Sequence, residues 1–177
     1  MAPFKEKQWA ILHRIGLMIF VTVGTQFPFD RLILSIDEWA KGKSSIIHAQ
    51  IGNSLEQYQN IQTYKYLEEE EINQFFRDAK VIVAHAGMGS IINALTLGKH
   101  IIVMPRNSEL GEHRNMHQYG TAKHLMHKPG VHVAWNIDEL KQELNKVCDN
   151  DYKERENKLS KYAPDELLVN LKKIIDE

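Results

Sequence analysis

Apolar runs alternate with amphipathic segments along most of the chain. Mostly apolar runs at 17–23, 81–84 and 100–104 are typical of strands covered on both faces. Between such runs, apolar residues recur at intervals of three and four, as in 31–41 and 67–78, which predicts amphipathic helices. Strands that alternate with helices indicate an α/β domain built on a mostly parallel sheet.

The pattern predicts a complete order of elements. Strands are expected at 18–23, 45–50, 62–66, 81–84, 100–104 and 130–135, and helices at 31–41, 67–78, 91–97, 113–126 and 137–147. Asn136 and Glu139 form a predicted capping box at the start of the last of these helices. Residues 18–148 are therefore predicted to form one Rossmann-like domain. Residues 1–17 are interpreted as an N-terminal extension that precedes a second methionine, and 149–177 as a charged connection followed by a C-terminal helix.

Composition and charge narrow the class of protein. The 177 residues are 43% hydrophobic and 25% charged, which is the balance of a single globular domain. A net charge of −1 gives no bulk field that would recruit nucleic acid, so no nucleic-acid partner is expected. The single cysteine makes neither an internal disulfide nor a thiolate zinc site. No window of eighteen apolar residues occurs, and we expect a cytoplasmic protein.

Glycine-rich segments follow two of the predicted strands. Gly24-Thr25-Gln26 follows the first strand, and His85-Ala86-Gly87-Met88-Gly89-Ser90 follows the fourth. In an open parallel sheet, ligands lie at the carboxyl ends of strands, where loop N–H groups and helix N-termini face an anion. A Gly-Thr pair alone is more often a plain turn, whereas two glycines with a serine suit the close approach of a ligand. Together the two segments indicate a site for a diphosphate.

The glycine segments differ from the common nucleotide motifs. Position 92 is isoleucine where a dinucleotide fingerprint needs a third glycine, and no Gly-Lys-Ser/Thr ending is present. NAD enzymes and P-loop NTPases are therefore disfavoured.

A polar cluster over 109–118 follows the fifth predicted strand. His113 and His117 lack the helical glutamate and third ligand of a recognised zinc motif, so no metal site is predicted. The cluster suits hydrogen bonding to sugar hydroxyls. The alternative is an ordinary solvated helix start, which we favour for Glu109 and Arg114.

Taken in order, several blocks resemble one known family. These blocks are 21–25 (Val-Thr-Val-Gly-Thr), 85–95 (His-Ala-Gly-Met-Gly-Ser-Ile-Ile-Asn-Ala-Leu), 98–99, 102–106 and 112–118. The family is the family-28 glycosyltransferase C-terminal domain. The chain is similar to the catalytic subunit of two-component UDP-sugar transferases, such as those that act in exopolysaccharide and dolichol-linked N-acetylglucosamine synthesis.

The resemblance implies the donor-binding half of a GT-B glycosyltransferase, with a UDP-sugar as donor and no further cofactor. It implies that a membrane-associated partner subunit binds a lipid-linked acceptor and contributes the general base, so that this chain lies at the membrane through its partner. It also implies roles by position. The diphosphate would lie against Gly24, Thr25 and Gln26, with Gly87, Gly89 and Ser90 opposite and His85 steadying the loop. The uracil would lie near the backbone of Tyr66 and Leu67, and the sugar against Asn115 and Gln118. Met88 and His113 are also predicted to bind the substrate.

One position departs from the family pattern. Many members have glutamate at the position of Asn93, where the carboxylate accepts hydrogen bonds from the ribose, and the amide loses about 1 to 2 kcal/mol of that contact. A non-catalytic nucleotide-sugar-binding regulatory or scaffold protein is therefore an alternative. A UDP-sugar epimerase or hydrolase is a second alternative, although the sequence shows no evident acid/base pair for it.

Overall fold

The computed structural model describes residues 17–149, and these fold around a six-stranded sheet. The strands are β1 (Met18–Thr22), β2 (Ile46–Gln50), β3 (Gln62–Tyr64), β4 (Val81–His85), β5 (His100–Met104) and β6 (Val131–Val133). The helices are α1 (Asp30–Ala40), α2 (Glu69–Asp78), α3 (Met88–Thr96), α4 (His117–Leu125) and α5 (Ile137–Cys148), with a 3₁₀ turn at Ser108–Leu110. The predicted extension before Leu17 and the predicted C-terminal helix lie outside the described residues.

All neighbouring strands of the sheet are parallel, in the order β3-β2-β1-β4-β5-β6. From β1 the chain moves outward to β2 and β3, then returns to β4 beside β1 and moves outward in the opposite direction. The loops after β1 and β4 therefore diverge to opposite faces of the sheet and leave a crevice between them. The predicted single Rossmann-like α/β domain is confirmed.

Two apolar layers cover the sheet. One layer packs α1 and α5 against the strand residues that face them, including Ile19 and Val21. The other layer packs α2, α3 and α4 against the opposite face, which includes Phe20. Because successive side chains of β1 point to opposite layers, the strand is apolar at every position except its last residue, Thr22, and all five of its residues are buried.

Two predicted helix starts were wrong. The prediction began a helix at Ile91, but the N–H of Ile91 bonds to the carbonyl of Gly87, so α3 already begins at Met88. The prediction also began a helix at 113, but α4 begins at His117, whose N–H donates to Oδ1 of Asn115 at 3.3 Å. Asparagine bonds its own neighbouring backbone in this way and thereby competes with the helix. Three residues of the glycine segment, Met88, Gly89 and Ser90, consequently lie in the first turn of α3.

The predicted cap of α5 is confirmed. Oδ1 of Asn136 accepts a hydrogen bond from the N–H of Glu139 at 2.9 Å, and the Glu139 side chain accepts in return from Nδ2 of Asn136 at 2.7 Å. Glu139 also accepts from the N–H of Trp135 at 2.9 Å, one residue before the cap.

Candidate functional site

A cleft of about 370 Å³ opens where the loops after β1 and β4 diverge. We call it the switch-point cleft. Its walls come from the segments after β1, β4 and β5: Val23, Gly24, Thr25, Gln26, His85, Gly87, Gly89, Ser90, Arg106, His113, His117 and Gln118. The crevice outside the carboxyl ends of diverging strands is where open α/β sheets bind ligands.

The loop after β1 is fixed from below by Thr22. The hydroxyl of Thr22 donates to Oε1 of Gln50 at 3.0 Å and accepts from the N–H of Gly24 at 3.2 Å. Gly24 has φ +71°, a conformation that glycine adopts without steric cost. The Gly24 N–H is therefore used within the loop, and Val23, Thr25 and Gln26 line the cleft together with Gly24.

Arg106 holds the same loop from beneath. Its side chain is only 2% exposed, and its guanidinium donates to the carbonyl of Val23 at 2.8 Å and to the carbonyl of Phe27. Its Nε is buried without a hydrogen-bond partner among residues 17–149. Burial lowers the pKa of Arg106 to about 10, so the group remains cationic at neutral pH. An incompletely paired buried cation at the cleft wall favours an anionic ligand.

His85 fills the space between the two glycine segments. A Cβ on Gly87 would lie 2.2 Å from Nε2 of His85, and one on Gly24 would lie 3.0 Å from Cε1. Gly24 and Gly87 therefore make room for the imidazole ring. Burial, together with the charge of Arg106, lowers the pKa of His85 to about 4, and the ring is neutral at pH 7.

The N-terminus of α3 forms the opposite wall. The first three N–H groups of a helix have no partner inside the helix, and here they belong to Met88, Gly89 and Ser90. A Cβ on Gly89 would meet nothing within 4 Å. Gly89 therefore leaves open space, and the N-terminal dipole of α3 favours negative charge there.

Residues after β5 close the third side of the cleft. Gln118 is buried, and its Oε1 accepts from the N–H of Arg106 at 3.1 Å, which leaves its amide NH₂ for other contacts. The rings of His113 and His117 contact edge to face, with centroids 4.6 Å apart. The oxygen of Asn115 pairs with Nδ1 of His117, so this side chain is engaged within its own segment.

An ion pair fixes the segment after β5 to α1. Nε and Nη2 of Arg31 donate to the two carboxylate oxygens of Glu112 at 2.6 and 2.8 Å. Oε2 of Glu112 also accepts from the N–H of Asn107 at 2.7 Å. Glu112 belonged to the polar cluster predicted to suit sugar hydroxyls. In the structure it braces the loop instead.

The structure brings most of the predicted site residues together. On the walls of the switch-point cleft lie Gly24, Thr25, Gln26, His85, Gly87, Gly89, Ser90, His113 and Gln118, and Asn115 lines a pocket beside it. Four predicted residues line neither space. Tyr66 and Leu67 follow β3, where the Tyr66 hydroxyl donates to Asn53 at 2.8 Å. Met88 and Asn93 lie on α3, and the side chain of Met88 is about half exposed.

Three cleft residues, Val23, Arg106 and His117, were not predicted as site residues, although each lies in a block that resembles the family. An arginine directly after a buried strand and a proline is unusual, because a cation there must either reach solvent or find buried partners. That position was a usable signal for Arg106. For His117 the signal was its place in the polar cluster at 109–118.

The described residues contain no group of three or more side chains that is suited to a metal ion. No helix among residues 17–149 is long and apolar enough to cross a membrane.

The doubly wound sheet and the cleft at its switch point define a Rossmann-like ligand-binding domain. The chain belongs to the glycosyltransferase family 28 C-terminal domain, whose model matches residues 18–174. By this membership it is a glycosyltransferase-family domain.

Solved structures share the fold at low identity. ALG13, solved by NMR, is 18% identical with a TM-score of 0.57, and the match covers 78% of this chain and 89% of that one. MurG of Acinetobacter baumannii is 17% identical with a TM-score of 0.58, and the match covers 80% of this chain and 45% of that one. A putative UDP-N-acetylglucosamine 2-epimerase of Listeria monocytogenes is 11% identical with a TM-score of 0.61, and the match covers 85% of this chain and 41% of that one. No curated protein matches the sequence.

The coverage separates these structures into two groups. The chain spans most of ALG13 but less than half of MurG and of the epimerase, and 34% of the glycotransferase of kitacinnamycin. The shared fold is the Rossmann-like half of GT-B glycosyltransferases.

Proposed function

We propose that this protein is the donor-binding catalytic subunit of an inverting glycosyltransferase that uses a UDP-sugar. The observation that carries the proposal is that Arg106 and the open N-terminus of α3 line the same switch-point cleft. A diphosphate carries negative charge to both walls at once, and backbone N–H groups with a cation are the usual way to hold it. Membership of the family supports a sugar nucleotide as the diphosphate ligand.

The geometry supports a role for each wall. The N–H groups of Met88, Gly89 and Ser90 would bind the diphosphate, and Arg106 would stabilise the negative charge that develops on UDP as the sugar departs. Neutral His85 would keep the two glycine segments apart without adding charge. The amide NH₂ groups of Gln118 and Asn115, whose oxygens are already paired, would donate to sugar hydroxyls.

We further propose that a membrane-associated partner subunit binds a lipid-linked acceptor and supplies the general base. The transferred group would be a hexose or an N-acetylhexosamine, in the synthesis of a surface polysaccharide precursor. The similarity to ALG13, which covers 78% of this chain and 89% of that one, supports this proposal. A non-catalytic nucleotide-sugar-binding regulatory protein remains the second candidate, and Asn93 is the residue that favours it.

Calorimetric titration of the chain with UDP tests the donor site. Gly89→Val should weaken binding at least tenfold, because its side chain would occupy the open space before the α3 N-terminus. Gly120→Val is the matched control, since Gly120 is also a helical glycine with no atom within 4 Å of its Cβ position, and it lies outside the cleft. Equal binding by wild type and both variants would contradict the site.

A transfer assay separates the two candidate functions. Co-expressed with its partner subunit, the chain should release UDP from the donor in the presence of membranes, and Gly89→Val should abolish that release. Binding of the nucleotide with no release in the complex would favour the regulatory alternative.

A further inference from the structure

A second pocket, of about 450 Å³, opens beside the switch-point cleft and shares Gln26 and His113 with it. Its remaining lining residues are Phe27, Arg114 and Asn115, and we call it the Arg114 pocket. Residues 113–115 follow β5, whereas Tyr66 follows β3, and β5 and β3 lie on opposite sides of β1 in the sheet. The Arg114 pocket therefore extends the cleft on the flank away from Tyr66.

Arg114 differs from the other two arginines near the cleft. Arg31 is paired with both oxygens of Glu112, and Arg106 is buried against backbone carbonyls. Arg114 is exposed and forms no ion pair with any residue from 17 to 149. Its guanidinium carbon lies 5.6 Å from the centroid of the Phe27 ring, so the aromatic face holds the charge in place. A positioned guanidinium without a carboxylate is suited to recognise one on a ligand.

Among the described residues, Arg114 is the one charged side chain that lines the Arg114 pocket, so the pocket suits a ligand group with a single negative charge. Partial burial, together with the nearby His117 and Arg106, lowers the pKa of His113, so this ring is neutral at pH 7. Gln26 and Asn115 add polar groups without charge. One planar guanidinium matches the two oxygens of a carboxylate in a forked pair of hydrogen bonds.

We propose that the Arg114 pocket binds the carboxylate of the donor sugar, so that the preferred donor is the nucleotide diphosphate of a uronic acid. This inference rests on the proposed function, in which the diphosphate occupies the switch-point cleft. The sugar is bonded directly to that diphosphate and must lie in space continuous with the cleft. On this view Arg114 is a specificity-determining binding residue and Phe27 positions it.

Comparison of UDP-glucuronate with UDP-glucose tests the inference, because the two donors differ only by a carboxylate in place of a hydroxymethyl group. Calorimetric titration of the full chain should show UDP-glucuronate binding about tenfold tighter. Arg114→Gln should reduce the preference to near one while leaving the affinity for UDP unchanged. Phe27→Leu should reduce it by a smaller factor, and the preference should shrink as ionic strength rises.

Arg77→Gln is the matched control, since it removes the same charge from α2, where Arg77 does not line either space. The Arg77→Gln variant should keep the preference for UDP-glucuronate over UDP-glucose. Equal affinities for the two donors in the wild type, or a preference that survives in Arg114→Gln, would overturn the inference while UDP binding keeps the proposed function intact. Failure of UDP itself to bind would overturn both.

Discussion

The two glycine segments of the cleft both follow a strand of the sheet, but their backbone groups are used differently. The segment after β1 is held by hydrogen bonds. The Thr22 hydroxyl accepts from the N–H of Gly24, and the Arg106 guanidinium donates to the carbonyls of Val23 and Phe27. The segment after β4 passes straight into α3, whose first N–H groups stay free. One segment is therefore a fixed support, and the other presents unpaired donors.

The same contrast recurs within the second segment. Gly87 faces His85 at a distance that leaves no room for a side chain, while Gly89 faces open space. A glycine in a binding motif can thus serve the protein's own packing or the approach of a ligand. Only the surroundings of each residue separate the two roles.

The largest effect should come from Gly87→Ala, which breaks the packing role. The new Cβ would lie 2.2 Å from Nε2 of a buried ring, so we expect a loss of about 3 kcal/mol in the free energy of unfolding. The backbone itself permits alanine, since φ of Gly87 is −91°. Urea unfolding measures the loss.

Two comparisons sharpen this prediction. Gly89→Ala should be neutral or stabilising, because nothing lies near its Cβ and alanine favours the helix. Removing the ring should relieve the clash, so Gly87→Ala should cost much less in a His85→Ala background than in the wild type. Equal costs in the two backgrounds would show that His85 is not the obstacle.

The next effect concerns the charge of His85, which separates the two segments as a neutral ring. Its pKa is about 4 in the folded protein and about 6.5 when unfolded, so between these values the unfolded chain binds more protons. The contribution of neutral His85 to the free energy of unfolding should therefore be fully present above pH 6.5 and be lost as the pH falls toward 4. For His85 the loss from pH 7 to pH 5 is about 2 kcal/mol.

Measuring the free energy of unfolding of variants at pH 7 and at pH 5 isolates the contribution of His85. His48 and His132 also have pKa values of about 4 because of burial, and they add to the slope of the wild type. His85→Ala should reduce the change between pH 7 and pH 5 by about 2 kcal/mol. His124→Ala, at an exposed histidine, should leave it unchanged. An identical slope in His85→Ala would mean that the ring is solvated.

The smallest effect should come from Ser90→Ala, which tests the ligand-facing role of the second segment. Loss of one neutral hydroxyl should weaken UDP binding severalfold, about 1 kcal/mol, and leave the unfolding free energy within about 0.5 kcal/mol. Ser108→Ala, in the 3₁₀ turn outside the cleft, should change neither quantity. A drop in stability without a change in affinity would assign Ser90 to the helix alone.

Most of the fold follows from local patterns in the sequence. The strand at 100–104 matches its prediction, and the helix at 137–147 ends within one residue of it, because an apolar run and a capped amphipathic segment are local signals. The starts of α3 and α4 were wrong because glycine and asparagine support either a turn or a first helical turn. Which one forms depends on hydrogen bonds that periodicity does not show.

For the candidate site, the sequence located the two glycine segments and the polar cluster, since each follows a predicted strand. It did not assign roles within them. Glu112 was grouped with sugar-binding residues, yet it pairs with Arg31 from α1, 81 positions away in the chain. The position of Arg106 after a buried strand was a signal of buried partners, but local sequence did not show that these partners are the carbonyls of 23 and 27.

The sequence by itself determined the alternation of strands and helices and the glycines at two strand ends, because these depend on periodicity and on the conformational freedom of single residues. Only the tertiary structure decided that β4 lies beside β1, so that Gly24, His85 and Gly87 meet and Gly89 is left open. The physical reason is that strand order is set by how the whole sheet buries its apolar faces. Contacts between residues 61 positions apart, such as Gly24 and His85, exist only after that order is fixed.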